Sequence, residues 1–197
     1  MSETDLLPLL ARGDPDAFDA VMRRYQRLVY TVAFGFVRNR EAALDITQNV
    51  FLKAFRHLET LREDSNLKAW LTRIAYHESL NWRRSNRRHQ EGHRDLDRLD
   101  VELVSPTATE ERALGRERSA VLDRALFAMH PRYRLALILR YRQGEPIRSV
   151  AESLACSEGA AKTLLSRALS QLRDRVAAQT PETPRTSTPR PLQEGRP

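Results

Sequence analysis

The sequence has little cysteine, little glycine and no long apolar stretch, and each shortage excludes a class of protein. With Cys156 as the single cysteine among 197 residues, the chain can build neither a disulfide framework nor a cysteine-rich zinc site. A free cysteine is among the most often buried residue types, so Cys156 is predicted to be a small buried apolar residue. No apolar run reaches the roughly 20 residues that a membrane span needs, and the acidic start lacks the basic region of a signal peptide. We expect a reducing, cytoplasmic location without insertion into a membrane.

The charge balance of the chain favours a polyanionic partner. Basic residues exceed acidic ones by 33 to 26, which gives a net charge of +7. Lys and Arg side chains that neutralise phosphates release condensed counterions, and this release drives binding to nucleic acid. A basic protein without such a partner has the same composition, so charge alone does not decide between the two.

Steps of three and four between apolar residues predict three helices in the first 90 residues. The first helix follows the capping residue Asp14, the second runs from about 41 to 58, and the third, capped by Asp64 or Ser65, ends in a basic stretch over 83–88. The three apolar stripes are Phe18, Met22, Tyr25, Val29, Val32 and Phe36; Ala43, Ile46, Val50 and Ala54; and Leu67, Trp70, Leu71 and Ile74.

Periodicity fades over 91–117, which is predicted to be a flexible linker. Helical spacing resumes over 118–178, with breaks before Pro131 and at 144–146. The tail, 179–197, is rich in Pro and Thr and is predicted to be disordered. No alternating strand pattern occurs, so the chain is predicted to be all-α, with two small helical domains.

The segment 147–172 has the pattern of a helix-turn-helix, with a short helix, a tight turn and a longer helix. Ser157 is a good N-cap for the longer helix, and the small residues that follow it would allow close approach to a major groove. Its predicted outer face holds Ala160, Lys162, Thr163, Ser166, Arg167 and Ser170. The segment 118–176 has eleven basic residues against five acidic ones, which favours DNA. A solvated surface helix of an ordinary helical bundle is the alternative.

Both halves of the chain carry motifs of one family. The first half reads Gly13-Asp14, Ala17-Phe18, Arg24-Tyr25, Asp45-Ile46-Thr47-Gln48, Phe51-Leu52-Lys53-Ala54-Phe55 and Ala69-Trp70-Leu71, and the second reads Pro131-Arg132-Tyr133, Leu139-Arg140-Tyr141 and Ser157-Glu158-Gly159. Their order and spacing resemble regions 2 and 4 of the extracytoplasmic-function (ECF) sigma factors, over roughly 10–90 and 118–176. Two matching domains in register are more specific than any single motif.

The resemblance implies a transcription-initiation subunit that binds core RNA polymerase and promoter DNA, needs no cofactor and catalyses nothing. It also implies contacts with the beta-prime clamp helices and the beta flap, and control by an anti-sigma factor. The implied polymerase-binding residues are Asp45, Gln48, Asn49 and Lys53. The implied minus-ten residues are Arg62, Asp64, Ser65, Asn66, Lys68, Arg73, His77, Asn81, Arg83 and Arg84. The implied minus-thirty-five residues are Ser157, Glu158, Ala160, Lys162, Thr163, Ser166 and Arg167.

Some residues depart from the family pattern or admit a second role. His77, Asn81 and Glu63 differ from the residues usual in the family, which puts the minus-ten preference in doubt. Ala155 stands at the usual turn glycine, so the turn must avoid or tolerate a strained dihedral. Trp70 lies in an apolar stripe and is predicted to pack in the core, whereas Trp82, among arginines, is a weaker candidate for DNA contact.

Two other functions fit parts of the sequence. A helix-turn-helix regulator that binds DNA without polymerase would explain the second half but leaves the first unused. A metal-dependent nuclease would need ligands, and His89, His93, Asp95, Asp97 and Asp100 lie close together in the sequence. Metal ligands need a rigid scaffold, and a linker does not provide one.

Overall fold

The fold is described from a computed structural model, which defines the backbone of residues 3–58, 61, 66–91 and 110–179 and the side chains of 5–58, 61, 66–87 and 119–179. All regular elements of these described residues are helical. They are α1 (Glu3–Ala11), α2 (Pro15–Val37), α3 (Arg40–Arg56), α4 (Leu67–Glu91), α5 (Glu110–Phe127), α6 (Pro131–Leu137) with a π-helical continuation (Ile138–Arg142), α7 (Ile147–Ser153) and α8 (Glu158–Ala177). The predicted all-α fold with two helical domains is confirmed.

The first domain is a bundle in which α2 packs against α1, α3 and α4. Helix α2 begins where sequence chemistry predicts, because the Asp14 carboxylate accepts a hydrogen bond from the Ala17 amide at 3.0 Å and Pro15 occupies the first turn. Asn39 caps α3 in the same manner, accepting from the Ala42 amide at 2.8 Å. These caps fix the ends of two helices whose buried faces form the core of the bundle.

The second domain places α8 against α5, α6 and α7. Pro131 starts α6, as predicted, and the imidazole of His130 accepts a hydrogen bond from the Arg132 amide at 3.3 Å. The predicted break at 144–146 separates the π-helical segment from α7, and Gly144 adopts a φ of +70° there. Glycine adopts this left-handed conformation without steric strain, so the chain can turn sharply.

The two domains pack directly on each other. Buried residues of both domains belong to one continuous apolar core, with α7 against α4 and the α6 region against α2. Arg38 at the end of α2 makes a two-pronged ion pair with Asp123 of α5, at 2.5 Å and 2.6 Å. The sequence predicts two domains but not this direct contact between them.

Several predictions about the helices are wrong in detail. The third helix is capped by Asn66, whose side-chain oxygen accepts from the Ala69 amide at 2.9 Å, and not by Asp64 or Ser65. Met22 is 37% exposed, because the buried stripe of α2 runs through Val21 instead.

Two helical segments lie outside the predicted helices. Helix α1 was not predicted, although Leu6, Leu7 and Leu10 are buried in the core. Helix α5 begins at Glu110, so 110–117 of the predicted linker is helical. The rest of the linker, 92–109, and the tail from 180 onward lie outside the described residues.

Candidate interaction surfaces

The residues with predicted polymerase contacts share one exposed face of α3. Asp45, Gln48, Asn49 and Lys53 are all exposed. Helix α3 presents them because its opposite side, through Ala43, Ile46, Val50 and Ala54, is buried in the bundle. Lys53 also binds within the domain, where its Nζ lies 2.6 Å from Glu78 Oε1 of α4.

Exposed apolar side chains outside the predicted set of polymerase contacts lie beside the polar ones on this helix. Leu44, Leu52 and Phe55 are 47%, 56% and 52% exposed. With Gln48, they form a stripe at helical spacing along the exposed side of α3. Phe55 is held in place by an edge-on contact with the ring of Phe18, at 5.1 Å between centroids. We call Leu44, Asp45, Gln48, Asn49, Leu52 and Phe55 the α3 face. Clustered exposed apolar residues beside polar anchors are typical of a protein-binding surface.

The predicted minus-ten residues divide between two sides of α4. Arg73, His77, Asn81 and Arg84 are exposed and recur at steps of four, four and three, so they form one continuous stripe on the helix surface. Arg62, Asp64 and Ser65 lie outside the described residues. The remaining three, Asn66, Lys68 and Arg83, contact the second domain.

These three contacts are polar or aromatic. The Asn66 amide nitrogen donates to Glu152 Oε2 at 2.5 Å. Lys68 Nζ lies 3.0 Å from both carboxylate oxygens of Glu145. The Arg83 guanidinium lies over the Phe127 ring, 4.6 Å from its centroid.

Burial at this contact shifts two pKa values on α4. Burial lowers the pKa of Arg83, and the neighbouring Arg87 adds to this effect. Burial raises the pKa of Tyr76, against the opposing influence of Arg132, Arg134 and Arg84. Both shifts follow from desolvation, which disfavours the charged form of each group.

The turn of the helix-turn-helix is strained at one residue. Ala155 adopts a φ of +50°, the left-handed conformation that a non-glycine residue rarely takes. The turn therefore tolerates the strained dihedral that the alanine at this position implied. Cys156, beside it, is partly buried against the core, so the predicted burial is only partial.

Helix α8 has the two faces that the sequence predicted. Ala161, Leu165 and Ala168 are buried, and Leu164 and Leu172 pack partly buried against the core. The predicted minus-thirty-five residues are all exposed: Ser157, Glu158, Ala160, Lys162, Thr163, Ser166 and Arg167. The Ser157 hydroxyl caps the helix, accepting from the Ala160 amide at 3.2 Å. The first turn of α8 thus reaches solvent with small or polar side chains only.

Both tryptophans are partly buried and pack against the apolar core. For Trp70 this agrees with the predicted core position. For Trp82 it reduces the ring area that could stack on a base.

The described residues contain neither a candidate metal site nor a membrane-spanning helix. Within them, no group of three or more His, Cys, Asp or Glu side chains could hold a metal ion, and no helix is long and apolar enough to cross a membrane. The side chains of His89, His93, Asp95, Asp97 and Asp100 lie outside the described part of the chain.

Comparisons with known proteins match both domains. The family model for sigma-70 region 2 matches residues 21–89, and that for sigma-70 region 4 matches residues 119–172. The ECF RNA polymerase sigma factor SigM of Mycobacterium tuberculosis is 30% identical over 171 residues, which are 87% of this chain and 83% of SigM. This chain belongs to the ECF sigma factors.

Other relatives differ in length or share the fold alone. A probable RNA polymerase sigma factor of Xanthomonas campestris, RfaY, is 29% identical over 86% of this chain, which spans only 43% of RfaY. The sigma factor RpoE of Bartonella quintana, solved in complex with the anti-sigma factor NepR, superposes with a TM-score of 0.61. At 20% identity, over 83% of this chain and 98% of RpoE, that likeness supports the fold. The α3 face and the described residues of α4 and α8 with predicted DNA contacts lie within the two matched regions of this ECF sigma factor.

Proposed function

We propose that this ECF sigma factor binds core RNA polymerase through the α3 face and directs it to promoters through α4 and α8. In this assignment, 10–90 is region 2, 91–117 is the linker and 118–178 is region 4. The observation that carries the proposal is the exposed side of α8. All seven residues with a predicted minus-thirty-five contact are exposed there, at a helix start that Ser157 caps.

Polymerase binding at the α3 face combines apolar burial with polar anchors. Docking of a partner helix would bury the exposed apolar surface of Leu44, Leu52 and Phe55 away from water, which favours binding. The Asp45 carboxylate and the Gln48 amide can pair with arginines of a partner helix, since charge-assisted hydrogen bonds are strong and directional. The partner is the coiled-coil clamp helices of the beta-prime subunit.

At the minus-ten element, region 2 captures a base that flips out of the opening duplex. In the role that the family resemblance implies, Arg62, Asp64, Ser65 and Asn66 hold this base by stacking and by hydrogen bonds to its edge. Arg73, His77, Asn81 and Arg84 follow the strand along α4, and Lys68 and Arg83 contact its phosphates.

At the minus-thirty-five element, α8 enters the major groove with its N-terminal end. Small residues such as Ala160 allow close approach, and Lys162 and Arg167 reach base edges or phosphates. The capped N-terminus of the helix favours a phosphate nearby. Region 4 also contacts the beta flap of the polymerase.

The polymerase performs the chemistry, so this chain is not an enzyme and needs no cofactor. It acts in the cytoplasm, where the polymerase and DNA are. An anti-sigma factor that covers these faces is the expected regulator, and the RpoE–NepR complex, a structural neighbour, supports this partner class.

The polymerase contact is tested by the double variant Asp45→Arg, Gln48→Ala. Charge reversal inside a docking surface costs several kcal/mol, so core binding should weaken at least about tenfold, measured by fluorescence anisotropy with sigma-free core. Asp174→Arg, at an exposed position of α8, has the same charge change and should bind normally. Full core binding by the double variant would refute the α3 assignment.

The minus-thirty-five contact is tested by Arg167→Ala. An arginine that reads a guanine contributes about 1–3 kcal/mol of discrimination, so transcription from promoters with an intact upstream element should fall about tenfold, while core binding is unchanged. Arg173→Ala, on another side of α8, is the matched control. Unchanged promoter preference in the Arg167 variant would remove α8 as the recognition helix.

A further inference from the structure

A cleft opens between α2 of the first domain and the π-helical segment of the second. Its volume of about 480 Å³ lies within the range of roughly 300–1,000 Å³ that small-molecule sites have. The residues that line it are Arg27, Tyr30, Thr31, Phe34, Arg142 and Gln143. None of them belongs to the polymerase or promoter contacts proposed above, so the proposed function leaves this cleft without a role.

Positive charge at the cleft exceeds the negative charge that pairs with it. Both carboxylate oxygens of Asp123 are bound by Arg38, and Arg142 Nη2 reaches Asp123 Oδ1 only at 3.5 Å. Within the described part of the chain, the Arg27 guanidinium has neither a hydrogen bond nor an ion pair. Three guanidinium groups therefore have one carboxylate among them, and a bound anion would balance the excess charge.

Two aromatic rings form part of the cleft wall. Tyr30 and Phe34 are one turn apart on α2, and their rings lie nearly parallel, with 5.9 Å between centroids and 19° between planes. Both side chains are only half-buried, so ring area remains open to a ligand. The Arg38 guanidinium lies 5.8 Å from the centroid of the Phe34 ring. Aromatic faces beside guanidinium groups can stack a nucleobase, because every base has a π face of its own.

Two polar side chains of the cleft have no internal partner. Among the described residues, neither the Thr31 hydroxyl nor the Gln143 side-chain amide forms a hydrogen bond. A hydroxyl and an amide together supply donors and acceptors. Both groups are therefore free to bind the sugar or the base edge of a ligand.

The backbone of the second domain is unusual where it forms the cleft. Ile138–Arg142 is π-helical, a rare conformation that is frequent at functional sites. The two walls meet closely beside it, since a Cβ atom at Gly35 of α2 would collide with the Ile138 side chain. Glycine is less favourable than alanine inside a helix, and this close approach gives Gly35 a structural reason. The shape of the cleft is thus set by the packing of its walls.

We propose that this cleft is a nucleotide-binding site, in which Arg27 and Arg142 bind the phosphates and Tyr30 and Phe34 stack the base. Guanidinium groups form paired, charge-assisted hydrogen bonds with phosphate oxygens. The free hydroxyl and amide add contacts to the ribose or the base edge. Because the nucleotide contacts both domains in the folded chain, its binding raises the Tm.

Isothermal titration calorimetry of the full chain tests the site with four probes: ATP, GTP, tripolyphosphate and adenosine. We expect ATP or GTP to bind at one site per chain. Tripolyphosphate lacks the base and adenosine lacks the phosphates, so each should bind at least about fivefold more weakly than the better nucleotide. Failure of both nucleotides to bind, or equal affinity for tripolyphosphate or adenosine, would overturn the proposed site.

The phosphate contacts are tested by the double variant Arg27→Gln, Arg142→Gln. Loss of two charge-assisted contacts should weaken binding of the better nucleotide at least about tenfold. The control Arg12→Gln with Arg173→Gln has the same change of net charge at exposed positions outside the cleft, and should alter the affinity less than about twofold. Equal losses in the two double variants would mean general charge attraction and would overturn the site.

Tyr30→Leu tests stacking apart from charge. Leucine keeps apolar bulk against the core but removes the ring, so nucleotide affinity should fall at least about fivefold while tripolyphosphate affinity is unchanged. Unchanged nucleotide affinity would exclude base stacking on Tyr30. Arg27 and Arg142 are exposed, so their variants test the site even if Tyr30→Leu unfolds the chain.

Discussion

Replacing Arg134 with methionine should strongly destabilise the second domain. The Arg134 side chain is 1% exposed, and its guanidinium donates to three carbonyl groups at or just after the end of α5: Leu126, Phe127 and Met129. The guanidinium lies between two rings, 5.0 Å from that of Phe36 and 4.8 Å from that of Phe127. Among the described residues, no carboxylate forms an ion pair with it. Arg134 therefore acts as a buried C-terminal cap for α5.

The size of the effect follows from the carbonyl groups that lose their donor. Each buried acceptor left without a donor costs about 1–3 kcal/mol, and the lost ring contacts add about 0.5–1 kcal/mol or more. Burial of the charge offsets part of this, and it also lowers the pKa of Arg134 to about 9, with Arg83 and Arg38 adding to the effect. We expect a net loss of about 3 kcal/mol, which in a domain of this size lowers Tm by about 15 °C.

Circular dichroism during heating measures this change. Arg134→Lys keeps a positive charge but replaces the planar fork by a single nitrogen, so it should lose about half as much stability. Arg173→Met, an exposed substitution on α8, should leave Tm within about 2 °C. A Tm of the Arg134→Met variant within about 2 °C of the parent would refute the capping role.

Two further substitutions test the strained turn and the α3 face. Ala155→Gly should raise the unfolding free energy by about 1 kcal/mol, because glycine adopts the φ of +50° without strain; chemical denaturation measures this, and an unchanged or lower midpoint would contradict the strain. Leu52→Arg should leave Tm unchanged, since Leu52 is 56% exposed, yet weaken core binding by anisotropy; normal binding would exclude Leu52 from the α3 face.

Local sequence signals predicted most of the helices. Asp14, Pro131 and Ser157 stand at helix starts in the structure, because capping chemistry depends on residues within one turn. The two faces of α8 also followed from spacing alone. Helix α1 was not predicted from the sequence. Leu6, Leu7 and Leu10 have helical spacing, but Pro8 within the segment argues against a helix.

The contact between the domains could not be predicted from one sequence. It depends on Gly35 meeting Ile138 and on Glu145 meeting Lys68, pairs that are far apart in the chain and have no periodic signature. The exposed Leu52 was equally hidden, because spacing shows which residues can share a helix face but not which face the rest of the protein covers. Tertiary packing decides both.

Run-off transcription on a genomic fragment library with purified sigma-free core RNA polymerase tests the central claim most directly. With the chain added, we predict discrete transcripts from fragments that share a minus-ten and a minus-thirty-five element, and none of these without it. Failure of the chain to associate with the core enzyme, or transcripts identical with and without it, would contradict the assignment as an initiation subunit.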